Sequence, residues 1–357
     1  MNGIDGMNYE PIQKPSPVVG PGEFDFAAMG LDHGHINSMS RGLIEAGARL
    51  KWVYDPDPVK VKAFCDKHPG VQAASSEDQI FQDNSVRLIA GAKIPSDRCA
   101  LGLRAMDHGK HYFTDKTPFT TLAQLELARE KTRQTGLIWA VNFSERLHVE
   151  SAVYAGELIK AGAIGRVVQV IGAGPHRCSP EKRPDWFFRK ANYGGILCDI
   201  GSHQIEQFLY YSGAKDAKVL HSKVANYAHK QYPELEDFGD ATLVADNGAT
   251  NYFRVDWLTP NGSAVWGDGR TLILGTDGYI ELRKYIDIGR DREGDHLYIV
   301  NHEGERHLSL KGKVGFPYFG QFILDCLNGT ELAMPQSHTF KAAELCLAAQ
   351  EQAVKVE

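Results

Sequence analysis

The sequence has few of the features that mark membrane, secreted or nucleic-acid-binding proteins. None of its 357 residues lie in a run of about 18 apolar side chains, so no segment is expected to span a membrane. The formal net charge is -6, which gives no overall positive field for nucleic acid or an anionic membrane surface. The six cysteines form no C-x-x-C pair, which argues against a zinc knuckle or redox dithiol and fits a reducing cytoplasm. Residues 1–23 lack the apolar core and cleavage pattern expected of a signal peptide.

The composition and periodicity of the chain divide it into three regions. Residues 1–22 are rich in Pro and Gly and lack periodicity, which predicts an extended N-terminal arm. This arm is either a disordered tail or a segment that packs on a neighbouring subunit. Residues 23–145 alternate apolar strand runs with helical segments, a pattern that predicts a doubly wound parallel sheet. Such sheets bind ligands beyond the carboxyl ends of their strands.

Residues 146–357 have a different pattern, with strands separated by turns rich in Gly and Asp. In "YFRVDWL", Phe253, Val255 and Trp257 alternate with more polar residues, which indicates a sheet with one buried face. We therefore expect a second α/β domain with an open, mainly antiparallel sheet. Two helices close the chain, in "PYFGQFILDCLNG" (317–329) and "TFKAAELCLAAQEQAVK" (339–355), and the last of them could pack back on the first domain.

The stretch "AAMGLDHGH" (27–35) lies where a dinucleotide-binding fold places its G-x-G-x-x-G turn, between the first strand and the first helix. Gly30 takes the first position, Asp32 the second, and Gly34 comes one place early. Three interpretations of this turn are open: a modified cofactor loop, a metal site made from Asp32, His33 and His35, or a plain turn. The metal interpretation is weaker because these residues are close in sequence and no distal ligand is evident.

Asp55 strengthens the cofactor interpretation, since it ends the second strand 25 residues after Gly30. A carboxylate there can accept hydrogen bonds from both adenosine-ribose hydroxyls. The following "PDP" offers no Arg or Lys for a 2′-phosphate, which favours NAD over NADP. Asp32 would repel a pyrophosphate unless it points away or caps the following helix.

A second group of residues lies in "YGGILCDIGSHQIEQFLYYSG" (193–213). Asp199 and His203 are four residues apart in a segment of helical periodicity, so their side chains share one face. Gly194 and Gly195 would let the chain turn sharply into this helix. The alternative is an Asp that satisfies a helix end beside an ordinary histidine. Lys116 lies at the carboxyl end of the predicted strand "HYFTDK" (111–116), where a nicotinamide should lie, although an isolated lysine there could simply be solvated.

Taken together, Gly30, Asp55, "DKTP" (115–118) and "GGILCDIGSH" (194–203) resemble the Gfo/Idh/MocA oxidoreductase family from about residue 24 onwards. The resemblance implies an N-terminal Rossmann domain and NAD(P)-dependent chemistry on sugars or cyclitols. It also implies dimers or tetramers formed through the C-terminal sheets. Lys116 corresponds to the lysine of the family's E-K-P motif, which here reads Asp-Lys-Thr with the proline displaced to Pro118. Asp199 and His203 correspond to the family's aspartate and histidine.

These correspondences give each side chain an expected role in hydride transfer. His203 is the general base, Lys116 stabilises the developing alkoxide, and Asp199 anchors a neighbouring hydroxyl. The residues expected to bind the cofactor are Gly30, Leu31, Asp32, His33, Gly34, His35, Asp55, Ala92 and Lys116. Those expected to bind substrate are Asn142, Arg146, His176, Arg177, Trp186, Asp199 and His203, and no metal is expected.

The sequence therefore predicts a cytoplasmic, NAD-dependent dehydrogenase or reductase of a sugar, glycoside or cyclitol, with NADP as the less favoured cofactor. Two alternatives remain open at this point. One is a glycosidase that uses NAD for transient oxidation and elimination. The other is a sensor that binds a dinucleotide or sugar without catalysis.

Overall fold

A computed structural model of the protein describes residues 16–357, which divide into two compact units. The parallel-sheet unit consists of Pro317–Phe340 and the described part of Lys14–Asn142. The large-sheet unit consists of Phe143–Phe316 and Lys341–Glu357. The sequence-based limits placed residues 317–340 in the second domain, whereas their contacts group them with the first sheet.

The strands are, in chain order, β1 Asp25–Met29, β2 Arg49–Tyr54, β3 Gln72–Ala73, β4 Val86–Gly91, β5 His111–Asp115, β6 Trp139–Asn142, β7 Val167–Pro175, β8 Ala217–Ala225, β9 Phe238–Ala245, β10 Thr250–Asp256, β11 Arg270–Gly275, β12 Gly278–Arg283, β13 His296–Asn301, β14 Gly304–Ser309 and β15 Val354–Val356. The helices are α1 Ile36–Glu45, α2 Pro58–Lys67, α3 Glu77–Phe81, α4 Pro95–Asp107, α5 Leu122–Thr135, α6 Ser144–Leu147, α7 Glu150–Lys160, α8 Lys190–Tyr193, α9 Ile196–Asp199, α10 Gly201–Ser212, α11 Tyr318–Asn328 and α12 Gln336–Glu351.

The parallel-sheet unit contains a six-stranded sheet in the order β3-β2-β1-β4-β5-β6. Each neighbouring pair of strands is parallel, as the strand–helix alternation predicts. The strand β1 is buried along its whole length, in agreement with the apolar run that follows Asp25, from Phe26 to Met29. Strand β3 and helix α3 are short and were not predicted from the sequence.

Local capping signals place the helices of this unit. Asp57 accepts a hydrogen bond from the Val59 N–H (2.8 Å) at the start of α2, and Pro58 occupies the first helical position. At the C-terminal end of α5, Gly136 has a φ of 67° and ends the helix in the left-handed conformation. These signals fix where α2 begins and α5 ends.

No helix within residues 16–357 is both long and apolar enough to cross a bilayer.

Of the predicted arm, residues 1–15 lie outside the described residues. The remaining residues of the arm include Val18, whose N–H donates a hydrogen bond to the Ala46 carbonyl (2.9 Å) just after α1. Val18 also contacts Gly320 at α11, where a Cβ on the glycine would come 2.9 Å from Val18 Cγ1. This part of the arm therefore packs on its own unit.

The large-sheet unit contains a nine-stranded sheet in the order β14-β13-β12-β11-β7-β10-β9-β8-β15. The pairs β7–β10 and β8–β15 are parallel and the others antiparallel, which confirms the predicted fold class. In β10, Phe253 and Val255 are buried while Tyr252 and Arg254 are exposed, as their alternation predicts. Asp256 departs from this pattern because it is buried as well.

The end of the chain differs from the prediction. The sequence suggested a helix from residue 339 to residue 355, but α12 ends at Glu351. Residues Val354–Val356 then form β15, which pairs in parallel with β8. The helical periodicity of "AAQEQAVK" does not predict this strand, because the pairing with β8 is a long-range interaction.

The stability of the parallel-sheet unit is expected to depend on pH through two of its histidines. Burial lowers the pKa of His111 to about 4, and the nearby Arg87 adds to the effect. The His111 Nδ1 accepts a hydrogen bond from the Ile138 N–H (3.0 Å), so protonation at Nδ1 breaks this bond. Burial, with Arg41 and Lys67 nearby, likewise lowers the pKa of His68 to about 4.

Between pH 6.5 and 4 the unfolded chain binds more protons at these histidines than the folded chain does, so stability falls as the pH falls through this range. We expect His111 alone to cost the folded state about 2 kcal/mol at pH 5 relative to pH 8. Denaturant unfolding at several pH values should show a smaller loss in His111→Gln. Replacing the exposed His221 with glutamine is the control. An unchanged pH dependence in His111→Gln would contradict this assignment.

Candidate active site

The turn between β1 and α1 has the backbone geometry that a nucleotide-binding loop requires. Gly30 has a φ of +74°, and a Cβ at this position would come 2.2 Å from Lys93 Cγ. The Leu31 N–H donates to Asp55 Oδ2 (2.7 Å), and the Asp57 N–H donates to Asp55 Oδ1 (3.0 Å). Each carboxylate oxygen can accept a second hydrogen bond. Asp55 can therefore hold the turn and still bind a ribose hydroxyl.

Asp32 does not cap the helix, which corrects one sequence-based interpretation. Its Oδ1 lies 2.5 Å from Lys60 Nζ, and its Oδ2 accepts a hydrogen bond from the Ile94 N–H (3.3 Å). His35 occupies the N-cap of α1 and makes no capping hydrogen bond through its side chain. Lys60 offsets the negative charge that Asp32 would bring to the loop.

Lys60 is a functional candidate that the sequence analysis missed. Its Nζ lies 4.0 Å from Asp55 Oδ1, although no Arg or Lys directly follows Asp55 in the sequence. Lys60 reaches this place from the first turn of α2, so only the helix geometry reveals the contact. It provides a cation beside the residue expected to bind the adenosine ribose.

Asp115, at the end of β5, joins the glycine turn to the neighbouring strands. Its Oδ2 lies 3.0 Å from His33 Nδ1 and its Oδ1 lies 3.0 Å from His35 Nδ1. Arg98 Nη2 lies 3.4 Å from Asp115 Oδ2, and both side chains are almost completely buried. The sequence-based statement that His33 and His35 have no distal partner is wrong, because Asp115 is that partner.

The charges of this cluster follow from burial and from the neighbouring groups. Burial lowers the pKa of His33 to about 3, and His35 and Lys116 lower it further against the opposing effect of Asp115. Burial acts to raise the pKa of Asp115, but His35, Arg98 and His33 outweigh it and hold that pKa well below its usual value. Near neutral pH, His33 is therefore neutral and Asp115 is ionised.

Arg98 also fixes the segment that carries Lys116. Its Nη1 donates hydrogen bonds to the carbonyls of Lys116 and Thr117, the latter at 3.1 Å, and its Nε donates to the Lys93 carbonyl (2.7 Å). The peptide bond between Lys116 and Thr117 is cis. Lys116 itself is buried, with 5% of its surface exposed. Arg98 was not predicted from the sequence, where its only signal is a charged residue within α4.

Asn142, the last residue of β6, is buried beside Asp115 in the register of the sheet. Neither Oδ1 nor Nδ2 of its carboxamide has a hydrogen-bond partner among residues 16–357. Buried polar groups are normally hydrogen-bonded, so an unpaired carboxamide at a strand end indicates a place for a ligand. The sequence analysis assigned Asn142 to the substrate, and its position suits a nicotinamide equally well.

Ala92 follows β4 and completes this edge of the sheet. Its N–H donates to the Gly30 carbonyl (3.0 Å), and its carbonyl accepts from the His33 N–H (3.0 Å). Together with the left-handed turn at Gly30, the acceptor Asp55 and the unpaired Asn142, this edge fits the polar groups of a dinucleotide.

In the large-sheet unit, Asp199 and His203 lie on two successive helices instead of the single predicted one. Gly194 and Gly195 have φ values of 87° and 95°, and they turn the chain into α9. This helix ends at Asp199, and α10 begins after Ile200. His203 is buried, with 2% of its surface exposed, and Asp199 is half-buried.

The structure gives Arg146 and Arg177 internal partners. Arg146 Nε donates to Glu206 Oε1 (2.8 Å), its Nη2 donates to the same carboxylate, and its guanidinium lies 3.9 Å from the ring centre of Tyr210. Arg177 Nη2 donates to the carbonyls of Ser263 (2.7 Å) and Val265 (3.0 Å). These contacts account for the Arg146 guanidinium without a substrate, whereas the Arg177 Nε is buried and has no hydrogen-bond partner among residues 16–357.

The remaining predicted substrate residues lie among aromatic side chains. The ring of His176 is 4.1 Å from Trp266 and 5.2 Å from Trp257, and its Nδ1 lies 3.2 Å from the Gly174 carbonyl oxygen. Trp186 is half-buried, with its ring 6.3 Å from that of Phe187. Their contact with a substrate stays a prediction.

Comparison with known proteins adds to this geometry. The profile of the GFO/IDH/MocA C-terminal domain matches residues 153–281. The chain belongs to the GFO/IDH/MocA family. A solved protein from Erwinia carotovora atroseptica, described as an oxidoreductase, is 52% identical, with a TM-score of 0.91, over 94% of this chain and 100% of the other.

Two curated proteins are more distant relatives of this GFO/IDH/MocA member. A D-xylose dehydrogenase of Paenarthrobacter nicotinovorans is 27% identical over 214 residues, which are 58% of this chain and 53% of the relative. A scyllo-inositol 2-dehydrogenase (NAD(+)) of Bacillus subtilis is 25% identical over 241 residues, 66% of each chain. The chain thus spans between about half and two thirds of the length of these curated relatives.

Proposed function

We propose that the protein is an NAD(P)-dependent oxidoreductase that transfers a hydride between a nicotinamide cofactor and a secondary hydroxyl or ketone of a sugar or cyclitol. The observation that carries the proposal is the buried, unpaired carboxamide of Asn142 at the carboxyl edge of the parallel sheet. Membership of the GFO/IDH/MocA family and the dehydrogenase names of the two curated relatives support it.

The parallel-sheet unit supplies the groups that would hold the dinucleotide. The turn at Gly30 leads into the N-terminus of α1, and this helix end would stabilise a pyrophosphate. Asp55 would accept hydrogen bonds from the adenosine ribose, and Asn142 would bind the carboxamide of the nicotinamide. When bound, the nicotinamide supplies the hydride acceptor or donor.

Three side chains would act on the alcohol. His203 removes the hydroxyl proton, and the Lys116 ammonium stabilises the negative charge that develops on the oxygen. Asp199 binds an adjacent hydroxyl of the substrate. In the reverse direction, His203 returns the proton as a ketone is reduced.

NAD is the proposed cofactor, because Asp55 would accept hydrogen bonds from ribose hydroxyls and would repel a 2′-phosphate. Lys60 is a cation that could favour NADP at this position, but its Nζ is paired with Asp32. Both cofactors therefore belong in the assay, with the larger kcat/KM expected for NAD.

The direct experiment offers the purified protein NAD with a panel of aldoses, glycosides and inositols and follows absorbance at 340 nm. Net NADH formation with at least one polyol supports the proposal. Release of free sugar from a glycoside without net NADH would instead indicate the oxidation–elimination glycosidase. Cofactor binding without turnover in either direction, on any member of the panel or its ketone, would indicate a sensor.

A second copy of the chain is the proposed partner, bound through the large sheet. One face of the large sheet carries apolar side chains on adjacent strands. Each of these side chains is more than a third exposed, namely Ile171, Tyr252, Leu272, Leu274 and Tyr279. In the register, Ile171 is paired with both Tyr252 and Leu272, so the patch is continuous across β10, β7 and β11. Continuous exposed apolar patches mark association surfaces.

Leu272→Arg is expected to convert a dimer or tetramer into a smaller species, because it places a charge in the centre of this patch. Light scattering coupled to gel filtration measures the mass. The matched control is Val59→Arg, which places the same charge on an exposed apolar residue of α2 in the parallel-sheet unit. A wild-type mass of one chain, or an unchanged mass in Leu272→Arg, would contradict the proposed interface.

The state of the cysteine thiols indicates the cellular compartment of the protein. All six cysteines are free in the structure, and five of them are buried. Unpaired thiols are typical of proteins in a reducing environment. We therefore propose that the protein acts in the cytoplasm.

A further inference from the structure

The glycine turn and the end of β5 bring two imidazoles and a carboxylate together. His33 and His35 each place Nδ1 3.0 Å from a different oxygen of Asp115. The two imidazole rings are 4.2 Å apart and nearly perpendicular, at 79°. All three ligand atoms lie within 4.8 Å of one another. Residues 33 and 35 come from one loop and Asp115 from a strand end 80 residues later, so the fold itself builds the cluster.

We propose that His33, His35 and Asp115 form a binding site for one divalent transition-metal ion. Imidazole nitrogen and carboxylate oxygen bind Zn²⁺ at about 2.0–2.2 Å. Two ligands at about 2.1 Å in adjacent positions of a metal's coordination sphere are about 3.0 Å apart, which matches both of the histidine–aspartate distances. Three protein ligands leave further positions open for water or for an oxygen of a bound molecule.

Arg98 serves as the outer partner of this site. Its Nη2 lies 3.4 Å from Asp115 Oδ2, and its other nitrogens are fixed by main-chain carbonyls, including that of Lys93 at 2.7 Å. Hydrogen bonds from an outer partner hold a metal-binding carboxylate in its orientation. The buried guanidinium therefore keeps Asp115 aimed at the two imidazoles.

The surrounding charge selects the class of metal. The single carboxylate of the site already faces the Arg98 guanidinium, so the site offers little net negative charge to an ion. Mg²⁺ and Ca²⁺ prefer sites built from oxygen ligands alone. Zn²⁺, Co²⁺ and Ni²⁺ bind imidazole well, so we infer an ion of this class. The inference does not rest on the proposed redox function.

Titration of chelator-treated full-length protein with Co²⁺ and Zn²⁺, followed by absorption and calorimetry, tests the site. We expect one ion per chain, and excess Mg²⁺ should not compete. His33→Gln and His35→Gln should each weaken binding at least 100-fold, since loss of an outer partner alone costs about 10- to 100-fold. Circular dichroism of both variants, with Asp115→Asn as a third, reports whether the fold is kept.

A second histidine cluster of this chain gives a matched control. In the large-sheet unit, His296 Nδ1 lies 2.9 Å from His307 Nε2, and His296 Nε2 lies 3.1 Å from Asp291 Oδ1. His307→Gln should leave the ion affinity unchanged. Absence of binding to the wild-type protein, competition by Mg²⁺, or loss of binding only in His307→Gln would overturn the proposal. NADH binding measured in parallel separates failure of the metal site from failure of the proposed redox function.

Discussion

Replacing Lys116 with methionine is expected to lower kcat by about 100- to 1,000-fold, because the ammonium that stabilises the developing alkoxide is lost. Methionine keeps the length of the buried side chain, so the segment that Arg98 holds should stay in place. Stopped-flow measurement of NADH formation at saturating substrate gives the effect on the chemical step. The Kd for NADH, measured by fluorescence, should change far less than kcat does.

His203→Asn should lower kcat by about 100- to 10,000-fold for a separate reason, the loss of the general base. The rate of the wild-type enzyme should rise with pH as the base loses its proton, and this rise should be absent from the pH–rate profile of His203→Asn. Lys131→Met, which removes a surface lysine paired with Asp107, is the control for charge loss. Full activity in both Lys116→Met and His203→Asn would show that the proposed roles are wrong.

Glu206→Ala is expected to destabilise the large-sheet unit by about 3–5 kcal/mol. The substitution leaves the guanidinium of Arg146 buried without its carboxylate partner, and unpaired buried charges are costly. Denaturant unfolding, followed by a probe in this unit, measures the loss. Glu130→Ala, which breaks an exposed pair with Arg133 on α5, should have no measurable effect.

The double variant Arg146→Leu/Glu206→Leu separates stability from substrate binding. Replacing a buried ion pair by apolar side chains is often neutral or stabilising, so most of the lost stability should return. An unchanged KM in this variant would mean that Arg146 acts in packing and does not bind substrate. A raised KM with restored stability would support the substrate contact that the sequence analysis assigned to Arg146. Stability equal to that of the wild type in Glu206→Ala would contradict the importance of the pair.

The sequence was most informative where function depends on the order of elements along the chain. Gly30, Asp55 and Lys116 each follow a strand of the parallel sheet, and strand–helix alternation is enough to place all three at one edge. The antiparallel character of the second sheet followed from the alternation in β10. These features depend on local periodicity, which a single sequence contains.

The contacts that the sequence did not reveal join residues far apart in the chain. Asp115 reaches His33 and His35 although β4 lies between β1 and β5 in the sheet, so strand adjacency does not predict the contact. Arg146 and Glu206 are 60 residues apart and form a buried pair. Each such contact depends on side-chain direction and helix packing, which periodicity does not specify.

Equilibrium binding of NADH to the wild-type protein and to Asn142→Leu tests the central claim most directly. Leucine removes two buried unpaired polar atoms at nearly constant volume, so stability should not fall. The account predicts one NADH per wild-type chain and a Kd raised about 10-fold or more in the variant, the cost of about one hydrogen bond to the nicotinamide. Thr271→Val removes another buried unpaired polar atom, in the large-sheet unit, and should leave the Kd unchanged. Failure of the wild-type protein to bind either NADH or NADPH, or equal affinity in Asn142→Leu, would contradict the account.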